Sequence, residues 1–215
     1  PPVMTYDASV ARRYLEALAE QVDVAPTDAS LTFEGTTPVV ESAHTGRRLD
    51  VDATLLSLSP VVMQMVPAEV DLVVREVPPA IKDAEPARLE AQRLLDGPVA
   101  LTIAEPREGD PGSWVISPDQ LVEMLDTRIQ DGVLHTVLNR EALRLYLEKL
   151  APALAVDPVD ARFHFNEATR QLEPITASQE GRALDVEGSV ERILDSLQIG
   201  ERAVSLAVRS VSPRY

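Results

Sequence analysis

The 215-residue sequence contains no cysteine. That excludes a disulfide framework, thiolate zinc sites and any cysteine nucleophile. No run approaches the roughly 18 to 20 consecutive apolar residues that a membrane-spanning helix needs. The best candidate, Pro60 to Val70, is short and broken by Gln64, Pro67 and Glu69, so no direct membrane insertion is expected. The chain opens Pro1-Pro2-Val3, without a basic region followed by an apolar one. Any signal or anchor is therefore expected to lie outside this sequence or to have been removed. Positive charge is also in deficit: 20 Lys and Arg stand against 35 Asp and Glu, for a net charge of −15. A surface this acidic repels phosphate backbones, so nucleic acid is not an expected partner. Anionic lipid headgroups and wall teichoic acids are disfavoured for the same reason.

Reaction-centre motifs are missing as well. There is no Gly-x-Ser-x-Gly elbow, no Ser-x-x-Lys, no His-Glu-x-x-His and no phosphate-cradling glycine loop. The three histidines, His44, His135 and His164, stand in no metal-ligand spacing. Asp50 with Asp52, and Asp185 with Glu187, invite an acid–base or calcium reading, but the calcium-loop pattern is absent. Helix capping is the plainer role for both pairs. The expectation is a chain with no catalytic residue, no metal site and no cofactor, hence not an enzyme, whatever domain a longer parent protein carries.

What the sequence does contain is a repeat. Tyr14-Leu15-Glu16-Ala17-Leu18-Ala19, followed by Val24, Pro26 and Asp28, matches Tyr146-Leu147-Glu148-Lys149-Leu150-Ala151, followed by Val156, Pro158 and Asp160, at a constant offset of 132. Gly46-Arg47-Arg48-Leu49-Asp50-Val51-Asp52 then matches Gly181-Arg182-Ala183-Leu184-Asp185-Val186-Glu187 at an offset of 135. The copies close on Val70-Asp71-Leu72-Val73-Val74-Arg75 and Val204-Ser205-Leu206-Ala207-Val208-Arg209. A shorter, diverged third copy is expected between them, with Ser117 aligned to Asp50, Val122 to Leu55, Leu125 to Leu58 and Ile129 to Val62.

Each unit is expected to run helix, strand, strand, helix, strand. Leu143, Leu147, Leu150 and Leu154 have helical spacing, as do Ala11, Leu15, Leu18 and Val22. Asn139 caps the first of these helices. Alternation at Leu31 and Phe33, and at Ala161, Phe163 and Phe165, marks the first strand of a hairpin. A glycine turn then leads to a second helix capped by Asp50 or Asp185. The middle unit has a capping box at Ser117-Pro118-Asp119-Gln120, and Glu105 to Gly112 is expected to be an exposed hairpin loop. The fold class is α+β, as tandem repeats with small, mainly antiparallel sheets packed by helices. The expected boundaries are residues 1–82, 83–138 and 139–215.

Three residues are candidates for ligand contact. Trp114 either begins a core strand or stacks on the apolar face of a sugar. Arg47 and Arg182 follow the turn glycines. Each either holds the neighbouring aspartate or offers a bidentate site for a carboxylate.

Together the helix, the strand pair, the Gly-Arg-x-Leu-Asp turn and the closing Val-x-Leu-x-Val strand resemble the YoaR-like peptidoglycan-binding domain. The resemblance covers roughly residues 6–78 and 139–213. In that family the domain often occurs twice, ahead of a VanW-like or L,D-transpeptidase domain in bacterial surface proteins. It implies a non-catalytic, extracytoplasmic module of the cell envelope, a membrane-anchored parent, and peptidoglycan glycan or stem peptide as partner. A structural spacer or self-association module without glycan affinity is the alternative. The family names no binding residues to carry over; a stem-peptide carboxylate at Arg47 or Arg182 is expected from guanidinium chemistry alone, beside the alternative of an ion pair with the neighbouring aspartate.

Overall fold

Both ends of the chain carry side-chain helix caps at matching positions and the same apolar spacing, and they fold into the same succession of elements up to the second helix, after which the last repeat has one strand more. The computed structural model describes residues 7–63, 69–104, 106, 112–166 and 170–214. The first repeat comprises α1 (Ala8–Val22), β1 (Ser30–Glu34), β2 (Thr37–Glu41), β3 (Gly46–Leu49), α2 (Val51–Val62) and β4 (Val74–Val77). The last comprises α5 (Arg140–Leu154), β9 (Arg162–Asn166), β10 (Gln171–Thr176), β11 (Gly181–Leu184), α6 (Val186–Gln198), β12 (Ala203–Leu206) and β13 (Val208–Val211). Between them lie α3 (Glu85–Leu94), β5 (Val99–Ile103), β6 (Trp114–Ile116), α4 (Pro118–Glu123), β7 (Leu125–Gln130) and β8 (Val133–Leu138). The fold is α+β, built from small sheets of two or three strands. The loop expected at Glu105 to Gly112 lies almost wholly outside the described residues.

The caps are local chemistry and form where the sequence places them. The carboxylates of Asp50 and Asp185 accept from the backbone N–H of Ala53 and Gly188, at 3.0 and 3.1 Å. Asn139 accepts from Glu141 and Ala142. Ser117 and Gln120 bond reciprocally, closing the capping box.

Three features differ from the sequence expectation. The closing strand is not continuous: residues 70–73 lie outside any strand before β4, and the last repeat breaks it into β12 and β13, because residues 73 and 207 turn their backbone groups to the second helix and its cap. The glycine turn before each second helix is a strand. β3 pairs antiparallel with β4, Gly46 opposite Val77, and β11 pairs antiparallel with β13, Gly181 opposite Val211. The middle segment also departs from the helix alignment after Glu123. Leu125 and Ile129 lie in β7, which pairs with β8. The joining residues Asp131 and Gly132 both have positive φ, 52° and 78°, the geometry of a tight two-residue hairpin turn.

The chain divides into two compact units. One holds Pro1–Thr32, Val39–Arg88 and Ile129–His135; the other holds Phe33–Pro38, Leu89–Arg128 and Thr136–Tyr215. In the second unit, Leu143, Leu147 and Leu154 of α5 and Val190 and Ile193 of α6 are fully buried against Val99, Leu101 and Ile116. Each such side chain contributes roughly 1.5–3 kcal/mol by leaving water. β5 lies between β12, to which it is parallel, and β6, to which it is antiparallel. In the first unit, Leu15, Leu49 and Leu55 form one small core. Ala29, Ala84, Ala87 and Leu134 form another. No helix among the described residues is long and apolar enough to cross a membrane.

Candidate functional site

The repeats share a set of polar fastenings, and these fix where most of the sequence candidates point. Arg47 and Arg182 stand at the same place in β3 and β11. The Nε of Arg47 donates to the carbonyl of Val22, at 2.9 Å, and that of Arg182 donates to the carbonyl of Leu154, at 3.3 Å. Each acceptor is the last residue of the preceding helix, where unpaired carbonyls and the negative end of the helix dipole favour a cation. Arg47 is exposed, whereas Arg182 is buried. The carboxylate of Asp50 is held by Arg75 of β4. The Ala53 amide and Arg75 together hold its pKa below the ordinary aspartate value, against the opposing effect of desolvation.

Other fastenings recur. The hydroxyl of Thr54 accepts from the Val73 amide, and that of Ser189 accepts from the Ala207 amide. Ser189 also donates to the Ala207 carbonyl. Asp28 accepts from the amides of Ala80 and Ile81, and Asp160 accepts from that of Arg214. These aspartates hold the segment leaving each repeat beside the segment that follows its first helix. Gly181 is required by proximity: a Cβ there would lie 2.5 Å from the Val156 carbonyl oxygen and 2.6 Å from the Pro158 nitrogen. Gly46 faces the same obstruction from Val24 and Pro26. Trp114 opens β6, partly buried against the second unit's core.

None of the three candidates lines a concavity that the described residues of the second unit form. One such cavity, of about 380 Å³, lies between α3, the β7–β8 hairpin, the start of α5 and the end of α6. Its floor is apolar, with Leu94, Leu138, Leu194 and Leu197. Arg93, Arg128, Arg140 and Glu90 also line it. Glu90 accepts from the Thr136 amide at 2.7 Å. Arg140 is engaged by Glu191, and by Glu187 at 3.6 Å. The hydrogen bond from Arg140 lowers the pKa of Glu191. Among the described residues Arg93 and Arg128 form no ion pair. The Thr136 hydroxyl is buried at the same wall with no hydrogen-bond partner among the described residues. Arg93 and Arg128, which form no ion pair among the described residues, stand beside leucines and suit a ligand carrying a carboxylate and small apolar groups.

The sequence matches the family described as "Putative peptidoglycan binding domain" over residues 1–71 and 107–205. The chain belongs to this family. Neither a curated protein nor a solved structure matches it. Within this family member, the matched segments include both Gly-Arg-x-Leu-Asp stretches and stop short of the last strand of each repeat, β4 and β13. They also include Arg128, Thr136 and Arg140, but not Arg93. Nothing in the sequence brings Arg93 of α3 next to Arg128 of β7, because the two meet only through tertiary structure. For Arg75 a signal was present: it recurs as Arg209 in the closing strand of the other repeat.

Proposed function

We propose that this chain is a non-catalytic cell-wall binding module that holds peptidoglycan by its stem peptides, through the arginine-lined cavity of the second unit. The observation that carries the reading is the convergence of Arg93, Arg128 and Arg140 on one cavity with a leucine floor. Guanidinium groups pair bidentately with carboxylates, and stem peptides end in carboxylates beside small apolar side chains. The glycan strand is neutral over much of its surface and has less to gain from Arg93 and Arg128, which form no ion pair among the described residues. The family supports a wall partner. The YoaR-like resemblance extends the reading to two copies of one domain, at residues 1–82 and 139–215, joined by 83–138. Under that resemblance the module works in the extracytoplasmic envelope, in a membrane-anchored parent bearing a VanW-like or L,D-transpeptidase domain.

Co-sedimentation with purified sacculi tests it, against an unrelated protein of equal acidity. The chain pellets with intact sacculi, fails to pellet once an amidase has stripped the stem peptides, and pellets weakly after Arg128→Glu. Pelleting that survives the amidase would move recognition to the glycan. No pelleting above the control would favour a structural spacer.

A further inference from the structure

The two repeats differ in what covers the same apolar face. In the last repeat, β12 pairs parallel with β5, Val204 opposite Leu101 and Leu206 opposite Ile103. The strand seals the helix pair: Leu147 and Ile193 are fully buried, and Leu197, Val204 and Leu206 are at most 4% exposed. In the first repeat the matching positions are Leu15, Leu58, Val62, Val70 and Leu72. Here Leu72 is 37% and Val62 39% exposed, and together they line an open groove of about 890 Å³. Among the described residues no strand lies beside residues 69–72.

The rim carries a second difference. Ala203 and Ser205, which alternate with Val204 and Leu206, face the neutral Ala100 and Thr102 of β5. Their counterparts are Glu69 and Asp71, both exposed, and Asp7 lines the groove as well. Directly opposed residues on adjacent strands are close enough for their charges to attract or repel.

We infer that the groove of the first repeat accepts an added β-strand from another polypeptide, laid parallel to residues 69–72, with apolar side chains alternating with basic ones. The apolar residues enter between α1 and α2, as Leu101 and Ile103 do in the last repeat. The basic residues stand opposite Glu69 and Asp71. Strand addition of this kind takes affinity from the backbone and selectivity from alternate side chains. The inference is independent of wall binding, since the two sites lie in different compact units.

The test uses the full chain and a fluorescein-labelled peptide, Val-Lys-Leu-Lys-Ile with capped ends, which is the β5 sequence with lysine at its two outward positions. Fluorescence anisotropy is expected to give saturable binding. The Val-Glu-Leu-Glu-Ile peptide is expected to bind about tenfold more weakly or less. Amide shifts in NMR spectra are expected at residues 69–72. Asp71→Lys, on the exposed rim, should weaken the lysine peptide and spare the fold. Leu58→Glu should abolish binding, with circular dichroism checking that the variant remains folded. Absence of saturable binding at millimolar peptide, equal affinity for the two peptides, or shifts confined elsewhere would overturn the inference. So would a concentration-dependent dimer in sedimentation that Leu58→Glu dissolves, because the face would then be covered by a second copy.

Discussion

Replacing Arg182 with alanine separates a fastening of the fold from a ligand contact. The Arg182 side chain is buried at 5% residue exposure and donates to the carbonyl of Leu154 at the end of α5. Truncation removes a charge-assisted hydrogen bond and strands a carbonyl, at about 1.5–3 kcal/mol. It also removes a cation from a helix C-terminus, a further ~0.3–1 kcal/mol. The expected loss is thus about 2–4 kcal/mol. Arg47→Ala makes the same change at an exposed position, where water replaces the bond, and the expected loss is about 1 kcal/mol. Trp114 is the single tryptophan and lies in the same compact unit as Arg182, so its fluorescence reports that unit in urea. With an m-value of about 2 kcal/mol/M, Arg182→Ala should lower the midpoint by roughly 1–2 M. Far-UV circular dichroism follows Arg47→Ala. An unchanged midpoint for Arg182→Ala, with pelleting on sacculi lost, would refute the argument and mark the residue as a ligand contact.

Ser189→Ala leaves the buried Ala207 amide and carbonyl without the hydroxyl that binds both, and should cost about 1–3 kcal/mol in the same fluorescence assay. Gly181→Ala forces a Cβ into the backbone at Val156 and Pro158. It should destabilise the second unit by about 3 kcal/mol, visible as a lower melting temperature. Acid should destabilise the protein. Glu191, Glu141, Glu85 and Asp50 all have depressed pKa values in the fold, the first three chiefly through hydrogen bonds from arginines and Asp50 chiefly through the Ala53 amide. Below their ordinary values, 4.5 for glutamate and 3.8 for aspartate, the unfolded chain binds more protons than the folded one. The stability they confer is therefore complete above that range and is lost as pH falls through the folded-state values. Urea midpoints at about pH 6 and about pH 3 read this, and equal midpoints would exclude it.

The legible parts of the fold were those written in a few consecutive residues. Asp50, Asp185, Asn139 and Ser117 announce their helices because a cap needs only the next turn of backbone. The leucine stripe of α5 needs only its own period. β3 and β11 were harder. Four residues after a turn, two of them arginine in β3, have no alternating apolar face, and they become strands by pairing with partners some 30 residues on. β7 was hidden by the apparent helix register of Leu125 and Ile129, although Asp131-Gly132 is a hairpin signature. The cavity arginines were the least legible. Arg93, Arg128 and Arg140 come from a helix, a strand and another helix, and no spacing rule relates them.

Asp28 and Asp160 carry a consequence for how such a chain can arise. Each takes the amides of the segment leaving its own repeat, at Ala80 and Ile81 or at Arg214, so the exit is latched to the same stretch of polypeptide that begins the hairpin. A unit with its own latch does not depend on a neighbour to hold its last strand. A gene segment encoding it could be duplicated in frame and the new copy would keep its exit latched, while its apolar face would still need a strand from outside the repeat, as β5 supplies in the last one. The divergence seen between the repeats, with one face sealed by β5 and the other left open, could then accumulate after duplication without loosening either copy.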